Sequence, residues 1–321
     1  MRRNIFIAAL LALALSLALT STTHAQTGSA LLLKPLLSED ENLESRGDAL
    51  FQASGKAENA DFNLAIFDLE GRFREHRENF IPRIGWDLTF FNQTSDIPIL
   101  DQNLVDTSVG IGLEVGQMGA WRAGLSLGIG YAGNAPFGES DAWYGKATLV
   151  VGKQLDEKTD LGFVIDYDGN RSLYPDIPIP GFAYRHEYDP KLNYTVGLPL
   201  SSVTWKPSKP ISVTATWQFV DSLDARIEYT LAPAWVVFGN VAQRKESFTV
   251  DGIGDHDRLL FQGRSIEAGV RWHPWEHTSF LLAGGYAFNQ EYSIGYDQGD
   301  SDKLADVSDE PYLHVGFERR W

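Results

Sequence analysis

His277, Ser279 and Glu291 are residue types that together could hydrolyse an ester or an amide. In such a site a histidine takes the serine proton while a carboxylate orients the imidazole. The residues between them, however, alternate large apolar and small side chains, which is typical of one β-strand. At ~3.3 Å per residue, the steps from His277 to Glu291 span about 46 Å. The three side chains therefore cannot meet unless that strand is broken.

Two further histidines could take part in proton transfer. His256 stands between Asp255 and Asp257, where a carboxylate could orient an imidazole, but a solvated acidic loop tip explains the pattern better. His314 falls on the inner face of the last predicted strand, where we expect a hydrogen-bond partner rather than a general base. These patterns predict no catalytic residue and no cofactor.

Acidic residues are concentrated in a segment near the C-terminus. Divalent cations bind clustered carboxylate oxygens, but the spacing matches no defined calcium loop, and a solvated surface run is the better interpretation. We predict no metal site, although divalent cations stay possible partners at the acidic loops. The residues are Asp297, Asp300, Asp302, Asp306, Asp309 and Glu310.

The elements that would position these residues are strands with a two-residue period. From Trp121 to Tyr131 every odd position is apolar or aromatic, and every even position is Gly, Ser or Arg. Successive strand side chains point to opposite faces, so one face is apolar and the other is small or polar. The segment covers about 33 Å, or about 25 Å at a tilt of roughly 40°. That height matches the apolar band of a transmembrane β-barrel.

The same alternation recurs along the chain and places charged residues opposite the apolar face. A soluble two-sheet sandwich would put such charges in water, but it leaves the aromatic belts without a cause. In a barrel the charges face the lumen, and the predicted lumen-facing residues are Arg83, Asp87, Glu114, Arg122, Lys146, Asp166, Glu267, Arg271, His314 and Glu318. The predicted aromatic girdle consists of Trp86, Trp121, Tyr131, Trp143, Tyr167, Trp217, Trp272, Tyr286 and Trp321.

Short and long connections alternate, as when short periplasmic turns and long extracellular loops join strands. The long connections are predicted at residues 92–106, 132–141, 169–191, 245–264 and 290–310. Counting back from the C-terminus gives twelve strands from near Ile81, one of which spans residues 192–205 despite Pro199. Residues 61–75 also alternate: either one more strand precedes them and makes fourteen, or they lie outside or within the barrel. The sequence predicts an all-β fold, a transmembrane antiparallel up-and-down β-barrel of about 12 strands, with 14 as the alternative.

The first residues indicate a secretory signal. Arg2 and Arg3 precede an apolar stretch over residues 5–18, and Thr23-His24-Ala25 is a small-x-small cleavage site. The stretch is shorter than the ~20 residues of a spanning helix, which argues against an uncleaved anchor. We assign residues 1–25 to a signal peptide, the acidic residues 26–60 to a flexible periplasmic segment, and residues 61–321 to the barrel.

Composition excludes several classes of protein. The net charge of −16 argues against a nucleic-acid partner, because phosphate binding needs a basic face. The absence of cysteine excludes disulfides, c-type haem and lipid attachment through cysteine. Aromatic residues make up 12% of the chain, yet its mean hydropathy is slightly negative. A barrel accounts for both, because only every second strand residue meets the bilayer.

The last predicted strand ends on an aromatic carboxy-terminal residue. Leu313, Val315, Phe317 and Trp321 share one face, and Arg319 on that face can extend to the interface. This end resembles the C-terminal signature of bacterial outer-membrane β-barrel proteins, which the barrel assembly machinery reads. The Arg-Trp-His-Pro-Trp run at 271–275 before a Gly-rich strand is similar to a group of such barrels with no assigned activity. The resemblance implies the bacterial outer membrane as location, with its lipid and lipopolysaccharide and the assembly machinery as partners.

Three classes of function stay open at this point. Our first hypothesis is a non-enzymatic protein, either a structural barrel or a narrow channel that favours cations because its loops are acidic. The second is a lipid- or peptide-modifying enzyme, since His277, Ser279 and Glu291 are similar to the set in lipid A deacylases and His256 with its aspartates to the pair in omptin proteases. The third is a surface receptor or adhesin built on the proline-rich residues 174–180.

Overall fold

The computed structural model describes residues 27–33, 42–74, 83–219, 222–254 and 256–321. The predicted signal peptide, residues 1–25, lies outside these ranges. The elements of the described residues are α1 (Ala30–Leu33), β1 (Leu43–Gln52), β2 (Gly55–Ala57), β3 (Ala60–Arg74), β4 (Arg83–Ser95), β5 (Asn103–Met118), β6 (Trp121–Gly133), β7 (Trp143–Asp156), β8 (Thr159–Asp168), β9 (Ile179–Asp189), β10 (Leu192–Leu198), β11 (Leu200–Ser208), β12 (Ile211–Gln218), β13 (Ser222–Ala232), β14 (Trp235–Phe248), β15 (Arg258–Trp275), β16 (Thr278–Asp297), β17 (Asp300–Val307) and β18 (Glu310–Arg320), with short 3₁₀ turns at Pro98–Leu100 and Ser140–Ala142. Among these residues no helix has the length and apolar character to cross a membrane.

The strands close into one antiparallel barrel. β1 pairs with β18 from Glu44 opposite Arg320 to Gln52 opposite Tyr312, so the first and last strands complete the ring. The short β2 and β17 continue β1 and β18 beyond brief interruptions, and Ala57 opposite Val307 keeps the same register. With each continuation counted as part of its strand, the barrel has 16 strands. An antiparallel, closed, all-β barrel is therefore confirmed.

The predicted count of about 12 strands, with 14 as the alternative, is wrong. Of residues 61–75, which the sequence left open, residues 61–74 belong to the barrel strand β3 (Ala60–Arg74), and residue 75 lies outside the described residues. Residues 169–191, predicted as a loop, contain β9, which begins immediately before Pro180. Residues 192–205 form two strands rather than one, because the chain reverses at Pro199 and β10 pairs back on β11. A strand as short as β10 has too few alternating residues for the sequence pattern to distinguish it from a turn.

The assignment of residues 26–60 to a flexible periplasmic segment is also corrected. Residues 43–52 form β1, which lies between β18 and β3 and completes the barrel. Its outward residues include Ser45, Gly47 and Ala49, so the strand lacks the strong apolar alternation by which the other strands were recognised. Residues 27–33, from the same predicted segment, lie inside the lumen.

Several of the predicted long loops are strand extensions. β4 and β5 project to Ser95 and Asn103, β14 and β15 to Phe248 and Arg258, and β16 runs without interruption to Asp297. Turns of two residues join β5 to β6, β7 to β8, β11 to β12, β13 to β14 and β15 to β16 at the opposite end. This asymmetry is the one expected between the extracellular and periplasmic ends of such barrels.

The outer face carries an apolar belt. Large apolar side chains at the predicted outward positions are exposed on strands around the ring, among them Val109, Leu127, Ile129, Phe163, Ile227, Ile266, Leu282 and Leu313. None of the described residues covers this belt, and a continuous apolar surface of this kind is stable in hydrocarbon. Of the predicted girdle residues, Trp143, Trp272, Tyr286 and Trp321 are exposed, and Trp86, Trp121, Tyr167 and Trp217 are half-buried.

Tyr131 does not belong to an exposed girdle, contrary to the prediction. Its side chain is 0% exposed, and its hydroxyl donates to the carbonyl oxygen of Ala135. The following loop folds back over it, so that the rings of Phe137 and Trp143 lie 5.3 and 5.4 Å from the Tyr131 ring. Phe137 is exposed in its place. The alternation places Tyr131 on the outward face, but it does not show that the loop after β6 folds back and covers its side chain.

Beyond the membrane band, at the extracellular end, the interior is apolar. The ring of Phe91 on β4 lies 5.4 Å from Phe248 on β14 and 5.2 Å from Phe261 on β15. These strands are not neighbours in the sheet, so the contacts cross the barrel. We call this cluster the apolar seal; its buried members are Ala57, Phe62, Leu64, Ile66, Phe91, Leu100, Leu104, Phe248, Val250, Leu259, Phe261, Tyr292, Ala305 and Val307.

The belt predicts a depth-dependent cost of charge on the outer face. Leu127→Arg, at the middle of β6 where the side chain is 48% exposed, should destabilise the inserted barrel by about 2–4 kcal/mol. Leu155→Arg, near the turn end of β7, is the matched control and should cost about 0–1 kcal/mol. Denaturant unfolding from lipid vesicles measures both, and equal costs at the two depths would contradict the belt.

Candidate functional site

Below the apolar seal, one wall of the lumen is a network of paired charges. His314 on β18 lies between two carboxylates, with Nδ1 2.8 Å from Glu267 and Nε2 3.0 Å from Asp48. Arg46 on β1 is 2.5 Å from Asp48, and Tyr312 donates to Glu267 over 3.2 Å. Buried charges are stable only with such partners. The inward positions of β1, β15 and β18 therefore form a single connected polar layer.

The wall formed by β4, β5, β7 and β8 is more acidic. Tyr144 donates to Asp106 over 2.5 Å, and Lys146 lies 3.5 Å from Asp168. Asp87 accepts a hydrogen bond from Ser108. Lys146 is the central cation of this group and is itself buried.

Residues 27–33 dock against this acidic wall from inside the lumen. Thr27 Oγ1 donates to Asp87 over 2.6 Å and also receives a hydrogen bond from Lys146 over 3.2 Å. Arg83 Nη1 donates to the carbonyl oxygen of Leu31 over 2.8 Å. Thr27, Ser29, Ala30 and Leu31 are buried. We call residues 27–33 the N-terminal plug.

Glycines on the inner face of β5 and β6 make room for the plug. A Cβ at Gly112 would lie 3.4 Å from Leu31 Cβ, and one at Gly124 would lie 3.4 Å from Leu32 Cδ2. Gly110 is similarly close to Leu31. The alternation shows that these glycines face inward, but it gives no indication of the helix that packs on them.

The loop after β8 enters the lumen from the other end. Arg171 is buried and donates to Asp166 over 2.7 Å. Asn170 Nδ2 donates to Asp106 over 2.8 Å, and Arg258 donates to the carbonyl oxygen of Arg171 over 3.3 Å. The loop thereby joins β5 and β8 on one side to β15 on the other. We call residues 169–178 the inward loop.

The tip of the inward loop is held as well. The backbone amide of Tyr174 donates to Asp297 over 3.1 Å, and Tyr296 donates to Asp176 over 3.0 Å. Tyr174 and Ile177 keep exposed side chains, but Ser172 is buried. Residues 174–180, which the sequence suggested as an adhesin surface, are therefore largely bound to the barrel at its extracellular opening and do not project above it.

The remaining wall, formed by β10 to β12, is covered by neither element. Its inward positions carry small hydroxyl side chains that stay partly exposed, namely Thr195, Ser202, Thr204, Ser212, Thr214 and Thr216. Gln218 follows them at the end of β12 and reaches a central cavity of about 180 Å³. The cavity is bounded by the acidic wall, the paired charges of the opposite wall and the inward loop. It exceeds by an order of magnitude the roughly 10–15 Å³ that one water needs.

The predicted lumen-facing residues divide into two groups. Asp87, Lys146, Asp166, Glu267 and His314 lie deep in the lumen, and Arg83 and Arg271 are bound inside it to Leu31 and Glu228. Glu114 and Arg122 are exposed near the turn end, and Glu318 lies 2.8 Å from Arg320 at the same end. Sequence reasoning missed Thr27, Asn170 and Arg171, which lie outside the alternating segments.

The sequence candidates for catalysis stay apart. β16 is continuous from Thr278 to Asp297, so His277 and Glu291 lie far from each other along one strand. His256 is exposed in a turn with a backbone φ of 69°. Within the described residues, no group of three or more histidine or acidic side chains is placed to hold a metal ion.

Solved structures that are similar to this chain include outer-membrane channels and autotransporter domains. A TodX mutant described as a monoaromatic hydrocarbon channel shares 9% identity over 94% of this chain and 95% of its own, with a TM-score of 0.46. The toluene transporter TodX of Pseudomonas putida shares 10% over 94% and 95%, with a TM-score of 0.41. A FadL homologue of Pseudomonas aeruginosa shares 11% over 87% and 90%, with a TM-score of 0.41. No family model and no curated protein sequence matches the chain.

The class of protein follows from the chain's own barrel. A closed antiparallel sheet with an uncovered apolar belt, aromatic residues at its edges and short turns at one end is built for a bilayer. The chain is a bacterial outer-membrane β-barrel protein. Its lumen contains the N-terminal plug and the inward loop, and the apolar seal fills part of its extracellular end.

Gly112→Leu is expected to displace the N-terminal plug, because the new side chain would occupy the space of Leu31 and Leu32. The chain has no cysteine, so a Ser29→Cys reporter can be read by maleimide labelling. Labelling should accelerate roughly tenfold in the Gly112→Leu background. Gly116→Leu is the control, since no atom lies within 4 Å of a Cβ there. Equal labelling in both backgrounds would contradict the docking of the plug.

Arg171→Met is expected to release the inward loop, because it removes the ion pair with Asp166 and the hydrogen bonds to the loop's own carbonyl groups. A Ser172→Cys reporter, buried in the native loop, should then label roughly ten- to a hundredfold faster. Lys191→Met, in an exposed turn at the other end of the barrel, should leave the rate unchanged. An unchanged rate in Arg171→Met would show that other contacts hold the loop.

Proposed function

We propose that the protein is a non-enzymatic channel for small polar solutes and that the structure describes its closed state. The observation that carries this proposal is the polar cavity in the middle of the barrel, next to a wall of exposed hydroxyl groups. A purely structural barrel gains nothing from a space of this size, because filled interiors are the more stable ones.

The route through the barrel follows β10 to β12. The apolar seal occupies the part of the extracellular end formed by β2 to β5 and β14 to β17, so a solute cannot pass there without unpacking a core. On the side of the shorter strands, the space above Gln218 is bordered by Asn170 and Arg171 of the inward loop. Movement of the inward loop would therefore open the lumen without changing the sheet.

The N-terminal plug is the second closure. It is attached to the wall by a few hydrogen bonds and by the packing of α1 on glycines, whereas every strand is paired on both sides. A local opening needs only these contacts to break. We propose that the plug leaves the lumen when the channel opens.

The charge of the lumen favours polar cargo. The TodX channels are described as carrying monoaromatic hydrocarbons, but in this chain such a molecule would have to cross a layer of ion pairs such as Arg46–Asp48 and Arg244–Asp68. An apolar solute would displace water from those charged groups without replacing its hydrogen bonds, which is unfavourable. Polar solutes can replace the water that such groups lose.

We also propose that the open channel favours cations. Beside the plug, Asp87, Asp106, Asp166 and Asp168 lie near Lys146, Arg171 and Arg258, so that four carboxylates meet three cations among the described residues. An excess of carboxylates raises the local concentration of cations and lowers that of anions. The acidic loops act in the same direction, since the whole chain carries a charge of −16.

Single-channel recording in planar bilayers tests both parts of the proposal. The full chain is expected to conduct rarely, and a variant lacking residues 27–33 to conduct steadily with cation preference. In that variant Asp106→Asn should lower the cation-to-anion permeability ratio by roughly a factor of two. Asp96→Asn, in an exposed loop, is the matched control and should not change it.

Two results would contradict the proposal. Silence of the variant lacking residues 27–33, with an intact barrel shown by heat-modifiable migration on gels, would favour a structural barrel. Steady conductance with a preference for anions would support the proposed channel and contradict the proposed cation preference.

A further inference from the structure

The central cavity contains buried polar atoms without partners. Asn240 is 4% exposed and Arg226 is 8% exposed, and both side chains line the cavity. Asn240 Oδ1 and Arg226 Nε have no hydrogen-bond partner among the described residues, nor do Gln52 Oε1 and Arg244 Nη1, which line the same space. Buried polar groups in native proteins are almost always satisfied. Two amide oxygens and one nitrogen atom on each of two guanidinium groups are thus open to a hydrogen bond from a ligand or water.

Two of the side chains with unpartnered atoms are neighbours on the sheet. Arg226 on β13 is directly opposite Asn240 on β14. The guanidinium of Arg226 lies over the Phe238 ring, 5.0 Å from its centroid, which fixes the height of the group above the wall. The pair therefore offers a donor and an acceptor at adjacent, preorganised positions.

The charges that line the cavity are nearly balanced. Eight Asp and Glu residues and seven Lys and Arg residues border it, with His314 held between two of the carboxylates. A ligand with a net charge would bring an uncompensated charge into this buried network, which is unfavourable. The cavity therefore favours a ligand without net charge.

The wall that leads to the cavity has the same preference. The inward residues of β12 are Ser212, Thr214, Thr216 and Gln218, none of which ionises. Hydroxyl and amide groups both donate and accept hydrogen bonds, so they can exchange partners with a hydroxylated solute as it moves. Such a wall offers no charged group that would pair with a charged solute.

We propose that the cavity binds a small, neutral, polyhydroxylated solute of about the size of a monosaccharide. A hydroxyl of the solute donates to Asn240 Oδ1, and a neighbouring hydroxyl oxygen accepts from Arg226 Nε. Each sugar hydroxyl has one donor and two acceptor positions, which matches this mixed pair. The proposal rests on the proposed function for the route by which the solute arrives, but its binding can be measured separately.

Saturation-transfer NMR on the full chain in detergent micelles tests the binding, with D-glucose as the probe. D-gluconate is the charged comparison, an open-chain acid that keeps the configuration of D-glucose at C2 to C5, and alanine is the zwitterionic comparison. Each is measured with the native chain and with Gly112→Leu, so that access through a closed lumen does not decide the result. We expect D-glucose to bind and both comparison solutes to bind at least roughly tenfold more weakly.

Asn240→Leu should weaken D-glucose binding roughly tenfold, because it removes the acceptor and keeps four side-chain heavy atoms branched at Cγ. Arg226→Lys, which retains the charge and loses Nε, should weaken it as well and serves if Asn240→Leu fails to fold. Asn92→Leu, at an exposed outward position near the end of β4, is the control and should leave binding unchanged. Heat-modifiable migration on gels confirms that each variant forms a barrel.

The outcomes separate this inference from the proposed function. If the protein conducts but D-glucose binds neither to the native chain nor to Gly112→Leu, the proposed binding site is wrong and the proposed channel stands. Binding of D-glucose that Asn240→Leu weakens, in a protein that never conducts, would leave the site and overturn the channel. Equal binding of D-gluconate or alanine would overturn the choice of a neutral polyol.

Discussion

The pairing of β1 with β18 is the interaction on which the structure depends. In hydrocarbon every backbone amide and carbonyl must find a partner within the protein, and an open sheet edge leaves a whole row of them without one. The register from Glu44 opposite Arg320 to Gln52 opposite Tyr312 removes both edges at once. Because this closure leaves the apolar belt outside and the charges inside, the same pairing defines the membrane surface and the lumen.

Closure alone does not decide whether the lumen is open. A barrel of 16 strands is wide enough for an aqueous passage, but here three structures of different kinds occupy it. The apolar seal is part of the wall and is held by cross-barrel packing. The inward loop and the N-terminal plug are attached through side chains such as Arg171 and Thr27, whose contacts are few and polar. This difference in attachment is the reason why we propose that the loop and the plug, rather than the wall, move.

Much of the outer wall could be predicted because its physics is local. The alternation of Trp121 to Tyr131 depends only on neighbouring residues and on the requirement that one face meets hydrocarbon. β1 could not be recognised in this way, since Ser45, Gly47 and Ala49 give it a weak outward face, and β10 and β11 could not be separated because each is short. These strands are specified by their partners across the sheet rather than by their own pattern.

The amino-acid sequence by itself determined the class of fold, the side of each long strand that meets the membrane and the inward direction of residues such as Asp87, Lys146, Glu267 and His314. Only the tertiary structure decided the number of strands, the contents of the lumen and which inward groups meet. The physical reason is that the face on which a side chain lies follows from the two-residue period along one strand. Contacts between side chains depend instead on the tertiary structure: Asn240 and Arg226 meet through the pairing of β13 with β14, and Thr27 meets Lys146 because the N-terminal plug lies inside the barrel.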